Sequence, residues 1–176
     1  MLYKNKKKMK KIALLLLGGL VLLSCGRNKK EGLEETIKPK EISLVIDGVY
    51  EKDDSLVVYK KVSGYYLYDM PITCKVKGSA LIQRILLDIP GGENVSNFSI
   101  VASTNKLQEH LTLKNISIKS NDSLIFDGDN FKHSEYFMAD ESFIWDPKLL
   151  RCNLVHTNKY PPGLVGNEKL EEILSK

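Results

Sequence analysis

Residues 41–48 read Glu41-Ile42-Ser43-Leu44-Val45-Ile46-Asp47-Gly48. Ile42, Leu44 and Ile46 fall on one parity, against Ser43, Val45 and Asp47 on the other. A period of two is the signature of a strand with one buried face, and Asp-Gly is a common strand terminator. The same rhythm continues along the chain. Leu56–Tyr59 is a short apolar run after the acidic stretch Glu51–Asp54, and Tyr65–Met70 runs from Gly64 to Pro71. Ile72, Cys74 and Val76 alternate with Thr73, Lys75 and Lys77, as in a sheet with one wet face. Leu81–Ile89 is nearly all apolar, apart from Gln83, Arg84 and Asp88, so it reads as a central strand, ended by Pro90-Gly91-Gly92.

Further on, Phe98, Ile100 and Ala102 alternate again. Leu111 and Leu113 share one parity and Ile116 and Ile118 the other, a switch that a β-bulge produces. Leu124–Phe126, Tyr136–Met138, Phe143–Trp145 and Leu149–Val155 complete about ten short runs, separated by Gly, Pro, Asn and Asp. Only the end differs: Asn167 is placed to cap a helix with Leu170, Ile173 and Leu174 on one face. The expected fold is all-β, a β-sandwich with a short C-terminal helix. The β-sandwich domain is expected over 41–160, with 161–176 a tail carrying the helix.

The stretch before residue 41 is of another kind. Lys4, Lys6, Lys7, Lys8, Lys10 and Lys11 precede an apolar run from Ile12 to Leu23. Twelve residues fall short of the roughly 20 that span a bilayer, and the order matches a secretion signal. Met9-Lys10-Lys11 is an equally good start for it, so either Met1 or Met9 serves as initiator. The closing Leu22-Leu23-Ser24-Cys25 resembles the lipobox of bacterial lipoproteins, with Leu three before the cysteine and a small residue before the cut. That resemblance implies a signal peptide over 1–24, acylation of Cys25 by lipid such as palmitate, and a mature protein held at a membrane. Residues 25–40 are then the lipidated cysteine and a disordered tether, polar and without apolar period. Fifteen residues of flexible coil reach about 20 Å. Lys29-Lys30-Glu31 is similar in kind to the charged stretches that route some Gram-negative lipoproteins to the cell surface. The implied location is the cell envelope, at the outer membrane of a Gram-negative bacterium, with the periplasmic and surface faces both open.

Charge changes its meaning once the signal is set aside. Of the 26 basic residues six lie in 1–24, where no acid falls, which leaves 20 basic against 22 acidic side chains. The basic excess belongs to the signal, and no basic stripe with interleaved aromatics points to nucleic acid.

Chemistry-bearing residues are sparse. His110, His133 and His156 have no mutual spacing that makes a metal face, and no H-x₃-H or C-x₂-C pair occurs. They read as surface or loop residues. No Gly-x-Ser-x-Gly elbow is present. Asp88, Glu93, Asp140 and Glu141 would need to converge in space for glycosidase chemistry. Asp127-Gly128-Asp129-Asn130 reads as a tight turn using Gly for positive φ rather than a calcium loop, since Met138 stands where an EF-hand needs Glu. No cofactor and no metal is implied, and the chain reads as non-catalytic. Cys74 and Cys152 either bridge or remain two buried thiols on separate strands. Asp54-Ser55-Leu56 and Asp122-Ser123-Leu124 each resemble an O-glycosylation site of exported proteins, with Ser55 and Ser123 as acceptors at turns; chance accounts for the pair equally well.

The aromatics point to binding. Tyr66 and Tyr68 share a face, and Tyr136, Phe137 and Trp145 cluster later. Flat rings with polar edges stack on sugars and anchor interfaces, and they also fill sandwich cores. Tyr66, Tyr68 and Trp145 are the ligand-binding candidates. The order of Lys75–Pro90, Phe98–Ser103 and Leu111–Ser120 resembles jelly-roll domains of the galactose-binding-like type, a pattern that transfers no ligand residue. The functional expectation is a membrane-anchored module binding a glycan or a partner protein. An accessory subunit of an envelope complex is the alternative, and a small glycan hydrolase the third reading.

Overall fold

A computed structural model of the chain describes residues 40–157 and 160–176. The signal segment, Cys25 and nearly all of the tether lie outside the described residues. Among the described residues twelve strands and one helix are formed: β1 (Ile42–Tyr50), β2 (Asp54–Val62), β3 (Tyr65–Tyr66), β4 (Ile72–Val76), β5 (Gln83–Ile89), β6 (Val95–Val101), β7 (His110–Ser120), β8 (Ser123–Phe126), β9 (Phe137–Ala139), β10 (Phe143–Asp146), β11 (Arg151–Leu154), β12 (Gly163–Gly166) and α1 (Glu168–Leu174). Short 3₁₀ turns cover Gly92–Asn94 and Lys132–Glu135.

The strands form two antiparallel sheets of six. The first runs β10-β11-β7-β1-β5, with β8 beside β7; the second runs β3-β2-β6-β12-β9, with β4 beside β2. One core lies between them. Ile42, Leu44, Ile46, Leu111, Ile116 and Ile118 from the first sheet meet Leu56, Val58, Phe98 and Ile100 from the second, all essentially inaccessible to water. The protein is an all-β sandwich, as its alternating runs require.

The parity switch in β7 is a bulge. Asp47 pairs with Asn115 and Gly48 with Leu113, which leaves Lys114 unopposed. All four apolar residues of β7 thereby reach the same core. Gly48 does not end β1 as expected. A Cβ there would sit 2.7 Å from the Thr112 carbonyl oxygen, so glycine lets β1 pass the bulge and continue to Tyr50. The Tyr50 hydroxyl then crosses the core to donate to the Ala102 carbonyl at 3.0 Å.

Two expectations are corrected. Leu81–Ile89 does not supply a central strand: β5 is an edge of the first sheet, bonded to β1 alone, and Leu81, Ile82 and Leu86 are exposed. Its apolar run conceals an alternation in which only Ile85, Leu87 and Ile89 face the core. Residues 161–176 are more than a tail. Gly163–Gly166 is an interior strand between β6 and β9, short enough to escape notice beside Pro161-Pro162. The helix forms as read. The Asn167 side chain accepts from the backbone of Lys169 and Leu170, and Leu170 and Leu174 are buried. No helix among the described residues is long and apolar enough to cross a membrane.

Candidate functional site: an aromatic cleft between the sheets

On the side of the sandwich where β9 faces β10 and β11, the two sheets part around a cavity of about 490 Å³. The first sheet contributes Leu113, Phe143, Trp145 and Cys152; the second contributes Phe137, Ala139 and Leu164; the 3₁₀ turn contributes His133 and Ser134, with Phe131 just before it. Short strands make this possible. β9, β10 and β11 have three or four residues each, too few to close the side with a continuous ladder.

Trp145 is 46 % exposed at this cleft. Phe131 meets it edge to face, with ring centroids 5.5 Å apart, and lies 6.2 Å from the His133 ring. Phe131 has φ 64° and ψ 8°, the left-handed region. A bulky side chain there costs of order 1–3 kcal/mol and persists only where the surroundings hold it. The turn before it is fixed by Asp127, whose Oδ1 accepts from Asp129 N at 3.2 Å. Glycine at 128 is required by space rather than by its φ, contrary to expectation. A Cβ there would stand 2.3 Å from the Ile116 carbonyl oxygen and 2.8 Å from the His133 Cβ. The positive φ values fall on Asn130 and Phe131.

His133 lies in the 3₁₀ turn between β8 and β9, within the loop reading, but it is buried rather than at the surface. Its Nδ1 lies 3.2 Å from the Gly128 carbonyl oxygen. A carbonyl only accepts, so Nδ1 carries the hydrogen and Nε2 holds the free lone pair of the neutral ring. Nε2 has no partner among the described residues. Burial lowers the His133 pKa, opposed in part by the Gly128 hydrogen bond, and so favours the neutral ring. The Cys152 thiol is pushed up by burial, away from the reactive thiolate. The cleft therefore offers apolar walls, the His133 acceptor nitrogen, the Ser134 hydroxyl and a protonated thiol.

The tyrosine candidates lie elsewhere. Tyr66 and Tyr68 do share a face, with centroids 5.8 Å apart, and Tyr68 stacks edge-on against Tyr59 at 5.0 Å. They sit at the β3 edge of the second sheet, whereas the cleft is walled by β9 at the opposite edge. Tyr66 borders a shallow depression with Lys61 and Glu171. There Lys61 Nζ donates to Glu171 Oε1 at 2.5 Å, and Asn97 Nδ2 donates to the same oxygen at 2.9 Å. Burial, then the Glu171 charge, then Tyr68 push the Tyr66 phenol up to about 12, so it stays a neutral donor.

A third concavity, of about 790 Å³, lies on the outer face of the first sheet. Asp47, Arg84, Asn115, Ser117 and Lys119 line it, under Leu124 and the Asp127–Asp129 turn. Arg84 clasps Asp47 through Nε and Nη2 at 2.8 and 2.9 Å. Asn115 Oδ1 is buried without a partner.

The remaining candidates have structural roles. Cys74 and Cys152 are free, on β4 and β11 near opposite edges of the sandwich, and no bridge joins them. Ser55 lies within β2 rather than at a turn, next to a carboxylate fully engaged with the opposite loop: Asp54 accepts from Ser103 Oγ, Thr104 N and Asn105 N at 2.6, 2.8 and 3.0 Å. Ser123 opens β8 and is exposed. Asp140 accepts the backbone N–H groups of Ser142 and Gly163, which ties the β9–β10 turn to β12. Among the described residues no group of three His, Cys, Asp or Glu side chains is placed to hold a metal ion. Phe131 and His133 carried no sequence signal as site residues, because only the fold brings them to Trp145, whereas Phe143 stands two residues before it on β10. Comparison of the chain with protein-family models, with curated proteins and with solved structures returns no match.

Proposed function

We propose that this chain is a lipid-anchored, non-catalytic binding module of the bacterial cell envelope, and that its ligand enters the aromatic cleft. The observation that carries this reading is the Phe131–Trp145 pair: a strained backbone holds one ring against another that stands half exposed at a cavity. Ligand sites are concave, mostly apolar and equipped with a few fixed polar groups. Seven of the ten lining residues are apolar, and His133 Nε2 is the fixed acceptor. This lining suits an apolar side chain or segment of an envelope partner better than a sugar with many hydroxyls. The anchor rests on Leu22-Leu23-Ser24-Cys25 and the lysine-led apolar run before it.

Trp145 is the chain's single tryptophan, so its fluorescence reports on the cleft. Titration with peptides bearing aromatic or aliphatic side chains is expected to give a saturable change in emission. Phe131→Ala is expected to weaken the affinity at least tenfold. No saturable change with any such peptide, or an unchanged affinity in Phe131→Ala, rejects the cleft. Mass spectrometry of the membrane fraction tests the anchor separately: a diacylglyceryl-modified Cys25 at the new N-terminus supports it, and an intact leader refutes it.

A glycan reading is favoured by a different surface. The outer groove of the first sheet joins Arg84, Lys119, Ser117 and the unpartnered Asn115 Oδ1, a polar set that suits hydroxyl groups. Glycan-array binding lost in Asn115→Ala and retained in Trp145→Ala selects this groove over the cleft.

A further inference from the structure

We infer that the open edge of the first sheet pairs with a second copy of this chain, strand β5 against strand β5. At seven residues β5 is the longest strand at an edge of either sheet; the others, β3, β4, β8, β9 and β10, have two to five. Among the described residues its outer side hydrogen-bonds to no strand, although β4 of the second sheet runs close to it across the sandwich. Such edges are usually short or blunted by charge, because free N–H and C=O groups are a template for pairing.

The charges on β5 do not blunt self-pairing; they fit it. The strand reads Arg84-Ile85-Leu86-Leu87-Asp88. Two copies meeting antiparallel about a two-fold axis through Leu86 set Leu86 against Leu86, and Arg84 of each copy against Asp88 of the other. Ile85 of each copy then faces Leu87 of the other, which continues the core across the joint. Isologous interfaces need this self-complementarity. Cross-strand pairs of opposite charge and of apolar residues are favourable, whereas like charges directly opposite are not.

The side chains are free to take part. Leu86 is 57 % exposed. Arg84 uses Nε and Nη2 on Asp47, and Nη1 has no partner among the described residues. Asp88 uses Oδ1 to accept from Ser43 and keeps Oδ2 open.

The test is a charge swap between two differently tagged full-length chains, co-expressed, solubilised in mild detergent and captured through one tag. Wild type is expected to capture wild type. Arg84→Glu with itself places acid against Asp88, and Asp88→Lys with itself places base against Arg84; each capture is expected to fall at least tenfold. Arg84→Glu mixed with Asp88→Lys restores both opposite-charge pairs and is expected to recover capture to within about twofold of wild type. Leu86→Lys leaves the Asp47 contact intact and is also expected to lose capture, so the result does not depend on how well Arg84→Glu folds. Absent capture in wild type, capture unaffected by Leu86→Lys and Asp88→Lys, or a mixed pair no better than Asp88→Lys with itself overturns the proposal.

Discussion

The rings of Phe131 and Trp145 meet edge to face at a centroid separation of 5.5 Å and an interplanar angle of 71°. The contact joins a turn after β8 to a strand that borders the cleft. It explains why a phenylalanine occupies a backbone conformation that favours glycine. Edge-to-face pairs contribute about 0.5–1.5 kcal/mol beyond their buried area.

That pair has a measurable coupling. In urea denaturation, Trp145→Ala is expected to cost about 1 kcal/mol and to leave the fold intact, because the side chain is half exposed. The double variant Phe131→Ala/Trp145→Ala is expected to cost less than the sum of the singles by about 0.5–1.5 kcal/mol. Strict additivity would show that the two rings do not support one another.

Gly128 supports the same turn from below. Any side chain meets the Ile116 carbonyl oxygen and the His133 Cβ. Neither is the free end of a flexible group, so the turn itself must move. Gly128→Ala is expected to destabilise the protein by about 1–3 kcal/mol, the range for forced overpacking. It should also shift the emission of Trp145 through Phe131. A midpoint within error of wild type, with unchanged emission, would contradict the packing described here.

The fold was legible because sandwich strands are short and half buried, so alternation survives in Ile42–Ile46, in Phe98–Ala102 and in the two parities of β7. The misreadings have physical causes. Leu81, Ile82 and Leu86 look like core because hydrophobicity alone does not separate an exposed edge from a buried centre. Gly163–Gly166 is hidden by its length. Half of the cleft was legible through Trp145 and Phe137, since aromatics near turns attract attention. Its other half was not: Phe131 and His133 enter through a 3₁₀ turn whose position depends on Ile116, in a strand distant in sequence.

The thiols give an independent check on strand placement. Cys74 and Cys152 occupy different sheets and are unbridged. Alkylation of the denatured, unreduced protein is expected to label both residues completely. In the native protein, Cys152 is expected to react slowly, since burial holds its thiol protonated, and a cleft ligand should slow it further. A Cys74–Cys152 cross-linked peptide would refute the placement of β4 and β11 near opposite edges of the sandwich.

His133 makes stability depend on pH in a window of its own. Its ordinary value is 6.5, and burial lowers it in the folded state. Just below pH 6.5 the unfolded chain therefore binds more protons at this site than the folded chain, so stability rises with pH there. The neutral-ring contribution is fully present above pH 6.5 and declines as pH falls through the lowered folded value. Carboxylates act below this range: Glu171, lowered first by its Lys61 hydrogen bond and then by Asn97, starts from 4.5. Between pH 6.5 and about 5 the wild-type unfolding free energy is expected to slope downward toward acid, and His133→Gln is expected to flatten that part of the curve. Protonation also puts a charge in an apolar cavity, so affinity for an apolar ligand should fall over the same window. An NMR titration of His133 with a midpoint above 6.5, or an unchanged slope in His133→Gln, would show that this ring is not buried as described.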